Sequence, residues 1–300
     1  MRTLFLTFIA FISTGLVVSA QDSVDDSLQN LRDAVSRKDT AQIKPLAVTT
    51  LEAAKKVTSG PAPETEIDKD QVTRAHEATD FAEYALYSTA LEAEPDVRVD
   101  LFATLEKESP TSKYLNDGYA YYFGALIQTG AAAKVPAIAE KALKNLPNSP
   151  DVLAELLDLA AQKQQNEKAV GYAQRLIATL GRRNKSEIMP DADWAKKKNA
   201  MLGRAHLVAG VILVGQTNYY KADQELRAAL PLIKGDDMQT ASALFNLGVA
   251  NYQLGKVGLN RGQVLQAAKF SQQCAAIKSQ YQEQAAHNAQ VMTKEASAMR

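Results

Sequence analysis

The sequence predicts an all-α protein in which antiparallel helix pairs repeat along the chain, and three observations carry that expectation. β-branched residues are scattered, and no alternation of period two persists between turn signals, so strands are not expected. Apolar positions recur at helical spacing in segments of roughly ten to twenty-five residues separated by short breaks. The breaks themselves recur: ESPTSKYL at 108–115 and LPNSPDVL at 146–153 each join Pro and Ser to a new apolar helix. Pro110 and Pro147 stand about 37 residues apart, close to the period of about 34 typical of helix–turn–helix repeats. A chain of 300 residues, 46% hydrophobic and 23% charged, is large enough to bury such an array.

The elements follow in order. Residues 1–20, MRTLFLTFIAFISTGLVVSA, combine a cation at Arg2, an apolar run from Leu4 to Val18 and small residues at Val18 and Ala20. That is the anatomy of a signal peptide cleaved after Ala20, and the expected address is periplasm or cell envelope in a bacterium and secretion otherwise. The alternative is a retained anchor, since the run approaches the ~20 residues that span a bilayer. Residues 21–58 read as an N-terminal helical hairpin, with Pro45 expected to delay or kink its second helix. Residues 59–70, rich in Gly, Pro and acids without an apolar face, read as a linker and a boundary.

From 71 to 300 the chain reads as one helical-repeat domain. Residues 71–110 form a divergent pair, and 116–147 and 150–180 two further pairs. Residues 181–190 are a loop between repeats, after which Pro190 and Asp191 start a long helix that reaches about Gly215, with Trp194 packed on its first turns. The clearest pairs are 200–234 and 242–280. Gly255 is expected to end the first helix of the latter. Residues 263–298 read as one helix whose apolar stripe of Val264, Ala267, Cys274, Ile277, Tyr281 and Val291 thins toward its end, so that 281–300 extend it as a cap.

The stretch SALFNLGVANYQLGK at 242–256 resembles the first helix of a tetratricopeptide repeat (TPR), with Leu247 and Gly248 in the paired Leu-Gly positions and Gly248 as the notch that admits a neighbouring helix. Ala267, Phe270 and Cys274 match the small–large–small stripe of the second helix, although KVGLNRGQVLQ before them is longer than the family pattern. Gly210 takes the notch in 200–234, followed by Ala222, Leu226 and Ala229. Weaker copies place Leu157 and Phe123 at the notch, with Ala169, Tyr172 and Leu176, or Ala139 and Ala142, in the second helix. The resemblance implies a right-handed superhelical solenoid of stacked helix pairs with a concave binding surface.

Residues that carry chemistry are scarce. The three histidines, His76, His206 and His287, lie far apart with no HExxH and no cysteine partner, so no metal site is expected. In HEATD, Asp80 stands four residues after His76 and is placed to pair with it. GxGxxG, GxxxxGK[ST] and GxSxG do not occur, and no cofactor or catalytic residue is expected. The single cysteine, Cys274, cannot bridge within the chain and is expected in the core. Thirty-four basic side chains balance thirty-four acidic ones, which gives no global field toward nucleic acid or anionic membrane and leaves only local patches.

These readings lead to an exported, non-enzymatic scaffold that binds a protein or peptide partner, with an exported helical-repeat enzyme or small-ligand carrier as the alternative. By resemblance, the concave positions flank the notches. They are Leu207, Val211 and Val214 beside Gly210, and Phe245, Val249 and Tyr252 beside Gly248, with Asp117, Asp151 and Asp158 at the acidic end formed by the earlier copies. The competing expectation is that the C-terminal helix folds over the apolar positions and buries them.

Overall fold

The computed structural model describes residues 15–183 and 185–299, with side chains described from residue 23. The predicted signal segment lies outside the described residues through 14. Among the described residues there are thirteen α-helices, one 3₁₀ turn and no strand, so the all-helical expectation holds. The chain forms two compact units, Met1–Gly130 and Ala131–Arg300. That division runs through the stretch read as the weak copy at 116–147.

The first unit contains α1 (Gly15–Ser36), α2 (Thr40–Thr58), α3 (Glu66–Glu92), α4 (Pro95–Glu108) and α5 (Lys113–Gln128). Each helix packs on the next, and α3 also packs on α1 and α5. The Asp39 side chain accepts the Gln42 N–H and starts α2, which runs through Pro45, so the proline does not delay the helix. The acids read as linker begin α3: Thr65 and Asp68 form a reciprocal capping box, and the loop shrinks to 59–65. Val24, Leu28, Ala53, Ala54, Ala75 and Ala78 join α1, α2 and α3 in one apolar cluster, so the hairpin is part of this unit. Between α4 and α5 the close approach falls at Gly118, where an added Cβ would lie 2.7 Å from Phe102 Cε1. The sequence reading had put the notch at Phe123, which is instead one of four packed rings with Phe102, Tyr119 and Tyr122.

The second unit begins with the 3₁₀ turn Ala132–Lys134 and continues through α6 (Val135–Asn145), α7 (Pro150–Gln162), α8 (Asn166–Arg182), α9 (Asp191–Gly215), α10 (Tyr219–Ala229), α11 (Asp237–Val257), α12 (Arg261–Ala275) and α13 (Gln282–Ala298). From α6 onward each helix packs on the next. In addition α7 packs on α9, α9 on α11 and α11 on α13, so the odd-numbered helices form one layer. Several apolar clusters hold it, two of them large. One joins Leu153, Leu157, Leu176 and Trp194; the other joins Leu226, Leu244, Leu247, Phe270 and Cys274. Each leucine fully buried there contributes about 1.5–3 kcal/mol. Trp194 is 1% exposed with the Arg183 guanidinium 4.7 Å from its ring centroid, a packing role as expected.

The helix pairs share one turn. In α1–α2, α7–α8, α9–α10 and α11–α12 the left-handed residue is Lys38, Gln164, Thr217 and Leu259, with φ of 54°, 54°, 59° and 48°. In each turn the following N–H reaches back five residues: Asp39 to Ala34 O at 2.9 Å, Gln165 to Ala160 O at 2.8 Å, Asn218 to Leu213 O at 2.9 Å and Asn260 to Gly255 O at 2.8 Å. This bond satisfies a carbonyl orphaned at the helix end. KVGLNRGQ therefore carries an ordinary turn, and the extra length counted from Gly248 lies in α11 itself, which runs on to Val257.

Three further expectations are corrected. Gly255 does not end a helix: α11 continues to Val257, and Gly255 is a contact point where a Cβ would meet Val264 N at 2.9 Å. The segment 263–298 is two helices rather than one, because the chain reverses over 276–281, where Ile277 and Tyr281 pack onto the cluster around Phe270. Counted from the shared turn, Gly210 stands seven residues before Thr217 and Gly248 eleven before Leu259, so Tyr252 occupies Gly210's place. Both glycines are nevertheless contacts: a Cβ would lie 2.5 Å from Leu226 Cγ at Gly210 and 2.6 Å from Ser271 Oγ at Gly248.

Candidate functional site

The layer formed by α7, α9, α11 and α13 carries most of the predicted binding positions, and its own side chains occupy them. At the α7 end, Asp151 is buried and meets Lys197 Nζ at 2.7 and 2.9 Å; Asp158 accepts the Arg204 Nε–H at 2.7 and 2.9 Å. Both cations come from α9, so the expected acidic end is internally neutralised. Asp117 is 1% exposed on α5 of the first unit and does not line an open surface.

The apolar end is likewise covered. Leu207 is buried among Leu226, Ala229, Leu244 and Phe270, and Val211, Val214 and Phe245 pack against the same cluster. The Phe245 ring stacks on Tyr281 with centroids 4.9 Å apart and planes 26° apart. Tyr252 donates its O–H to Glu295 Oε2 at 2.8 Å, and Lys256 Nζ reaches the same oxygen at 2.7 Å. The bond from Lys256, then that from Tyr252, holds the Glu295 carboxyl below its ordinary range. Val249 is half-buried. The segment from 276 onward thus folds over Phe245 and Tyr252, the competing expectation, and the open apolar groove read from the sequence is corrected.

The first unit holds an open surface that sequence reasoning missed. Arg32 of α1, His76, Glu77, Asp80, Phe81 and Tyr84 of α3 and Tyr114 of α5 line a depression of about 600 Å³. A second, of about 510 Å³, shares Tyr84 and continues past Val35, Lys38, Ser88 and Val97. Phe81 and Tyr84 are three residues apart, on one face of α3, and Tyr84 is 46% exposed. The Arg32 guanidinium lies 5.5 Å from the Phe81 centroid and forms no ion pair among the described residues.

Asp80 does not pair with His76 as expected. It meets Lys113 Nζ at 2.6 Å and accepts the Tyr114 O–H at 3.2 Å, because α5 brings a cation and a phenol closer than the helix's own histidine. Burial, then the Asp80 charge, raises the pKa of Tyr114 and keeps it a donor. The legible signal was the aromatic spacing Phe81, Tyr84, Tyr87 next to HEATD, which periodicity alone assigns to a core.

His206 Nδ1 lies 2.6 Å from Glu225 Oε2, a pair that ties α9 to α10. Among the described residues no group of three or more His, Cys, Asp or Glu side chains converges. The arrangement offers ring faces, a guanidinium and hydroxyls for recognition. The sequence matches no family model and no curated protein.

Proposed function

We propose that this chain is an exported, non-enzymatic TPR-like scaffold that binds a protein or peptide partner. The observation that carries the reading is the shared turn: four helix pairs closed by the same hydrogen bonds, three of them stacked through α7, α9 and α11, are the construction of a helical repeat. Such arrays present surface along their length. The partner surface is the depression around Tyr84, which is open where the layer in the second unit is filled. The fitting partner segment places an apolar side chain on the Phe81 and Tyr84 rings and a carboxylate toward Arg32, whose planar donors suit it.

The test is photo-crosslinking in the native cell envelope with a reactive residue in place of Tyr84 and, as a control, of Gln174 on the exposed face of α8. A discrete protein adduct at position 84 that Arg32→Ala weakens is expected. No adduct, or the same adduct at 174, sinks the reading.

A further inference from the structure

We propose that the turn between α11 and α12 is a peripheral membrane-contact tip that inserts Val257 and Leu259 into the interface of an anionic bilayer. The four turns share one backbone geometry, which makes each an internal control for the others. Their left-handed positions hold Lys38, Gln164, Thr217 and Leu259, and two residues earlier stand Ser36, Gln162, Gly215 and Val257. Three pairs are polar or small. The fourth is aliphatic, with Val257 86% and Leu259 81% exposed. Nothing in the shared hydrogen bonds asks for leucine, and a left-handed φ is a conformation that bulky side chains disfavour. Two aliphatic side chains held in water at that position have a use outside the fold.

The surrounding charge selects the surface. Lys256 precedes the pair and Arg261 follows it. Lys256 is shared with Glu295, whereas Arg261 donates its Nε–H to Ala296 O at 3.0 Å and forms no ion pair among the described residues. The tip is therefore aliphatic with a net positive collar, the arrangement that suits the boundary between acyl chains and anionic headgroups. No helix of the described residues is long and apolar enough to cross a membrane, so the contact is interfacial. Two aliphatic side chains give weak, reversible association. The inference stands apart from the scaffold reading, which concerns the first unit.

The test uses the full chain with an environment-sensitive nitrobenzoxadiazole label at Val257→Cys, and at Gln162→Cys as the matched control in the α7–α8 turn. Cys274 is buried, and burial pushes its thiol up to about 11, so it stays unlabelled. The probe surface is phosphatidylcholine vesicles with about 30% phosphatidylglycerol. A blue shift and quenching by spin labels below the headgroups are expected at 257 and not at 162, with Leu259→Asp weakening the titration about tenfold at unchanged melting temperature. A response at both positions or at neither, a response at 257 that Leu259→Asp leaves intact, or an equal response on pure phosphatidylcholine overturns the proposal.

Discussion

Glycine has opposite consequences at different places on these helices, and the difference is local space. At Gly210 an added Cβ falls 2.5 Å from Leu226 Cγ, and at Gly255 it meets the Val264 backbone nitrogen, which cannot rotate away. Gly210→Leu is expected to cost about 1–3 kcal/mol, and Gly255→Ala to lower the melting temperature as well. Gly171, inside α8, has nothing within 4 Å of that position, so Gly171→Ala is expected to stabilise by about 0.4–1 kcal/mol. Equal melting of these variants in thermal denaturation would show that the contacts are wrong. Cys274 offers a second residue-level check. Its Sγ donates to Ala241 O at 3.3 Å, and burial raises the thiol from the ordinary 9.0 to about 11. Because the folded value is the higher one, the contribution is complete below the ordinary value and is lost as pH rises through about 11. The loss of stability above pH 9 should therefore be shallower in Cys274→Ala than in the parent, read by chemical denaturation across that range. Gly210 and the burial of Cys274 were legible in the sequence because a small residue beside leucines has few other uses. Gly118 was not, since its partner Phe102 lies on a helix whose packing no spacing reveals.

At the level of elements, the pairing of α11 with the segment 276–298 decides what Phe245 and Tyr252 do. With the Phe245 ring on Tyr281, a Phe245→Leu, Tyr281→Leu double-mutant cycle is expected to show coupling of about 0.5–1.5 kcal/mol. The pair Phe245→Ser with Tyr252→Ser should lower the melting temperature and leave partner capture at Tyr84 intact; unchanged melting would mean that α13 does not cover this face. The start of α9 was legible because Pro190 and Asp191 are helix-start residues, and its end near Gly215 was legible too. The reversal at 276–281 was not, because AIKSQY holds neither proline nor glycine and turns through tertiary packing of Ile277 and Tyr281. The left-handed turn residues escaped notice for a similar reason: Lys, Gln, Thr and Leu do not announce a turn.

Across the whole chain, the proposed export has a direct measurement: intact mass of protein from the native host should match a chain beginning at Gln21, and a membrane-bound form retaining Met1 would overturn it. The fold class was legible from periodicity, whereas the division at Gly130 was not, because the break there reads in sequence like any other turn between helices. Within the second unit the connections are unequal at the two ends of the helices. At one end Lys163–Gln165, Gln216–Asn218 and Gly258–Asn260 are tight hydrogen-bonded links; at the other the chain crosses by the longer segments 183–190, 230–236 and 276–281. This unit is bound like a fan along one edge. One residue added at the tight edge breaks a five-residue reach and pulls two helices out of step, whereas the longer segments are held by side-chain packing, Ile233 and Ile277 among it, and share no such fixed reach.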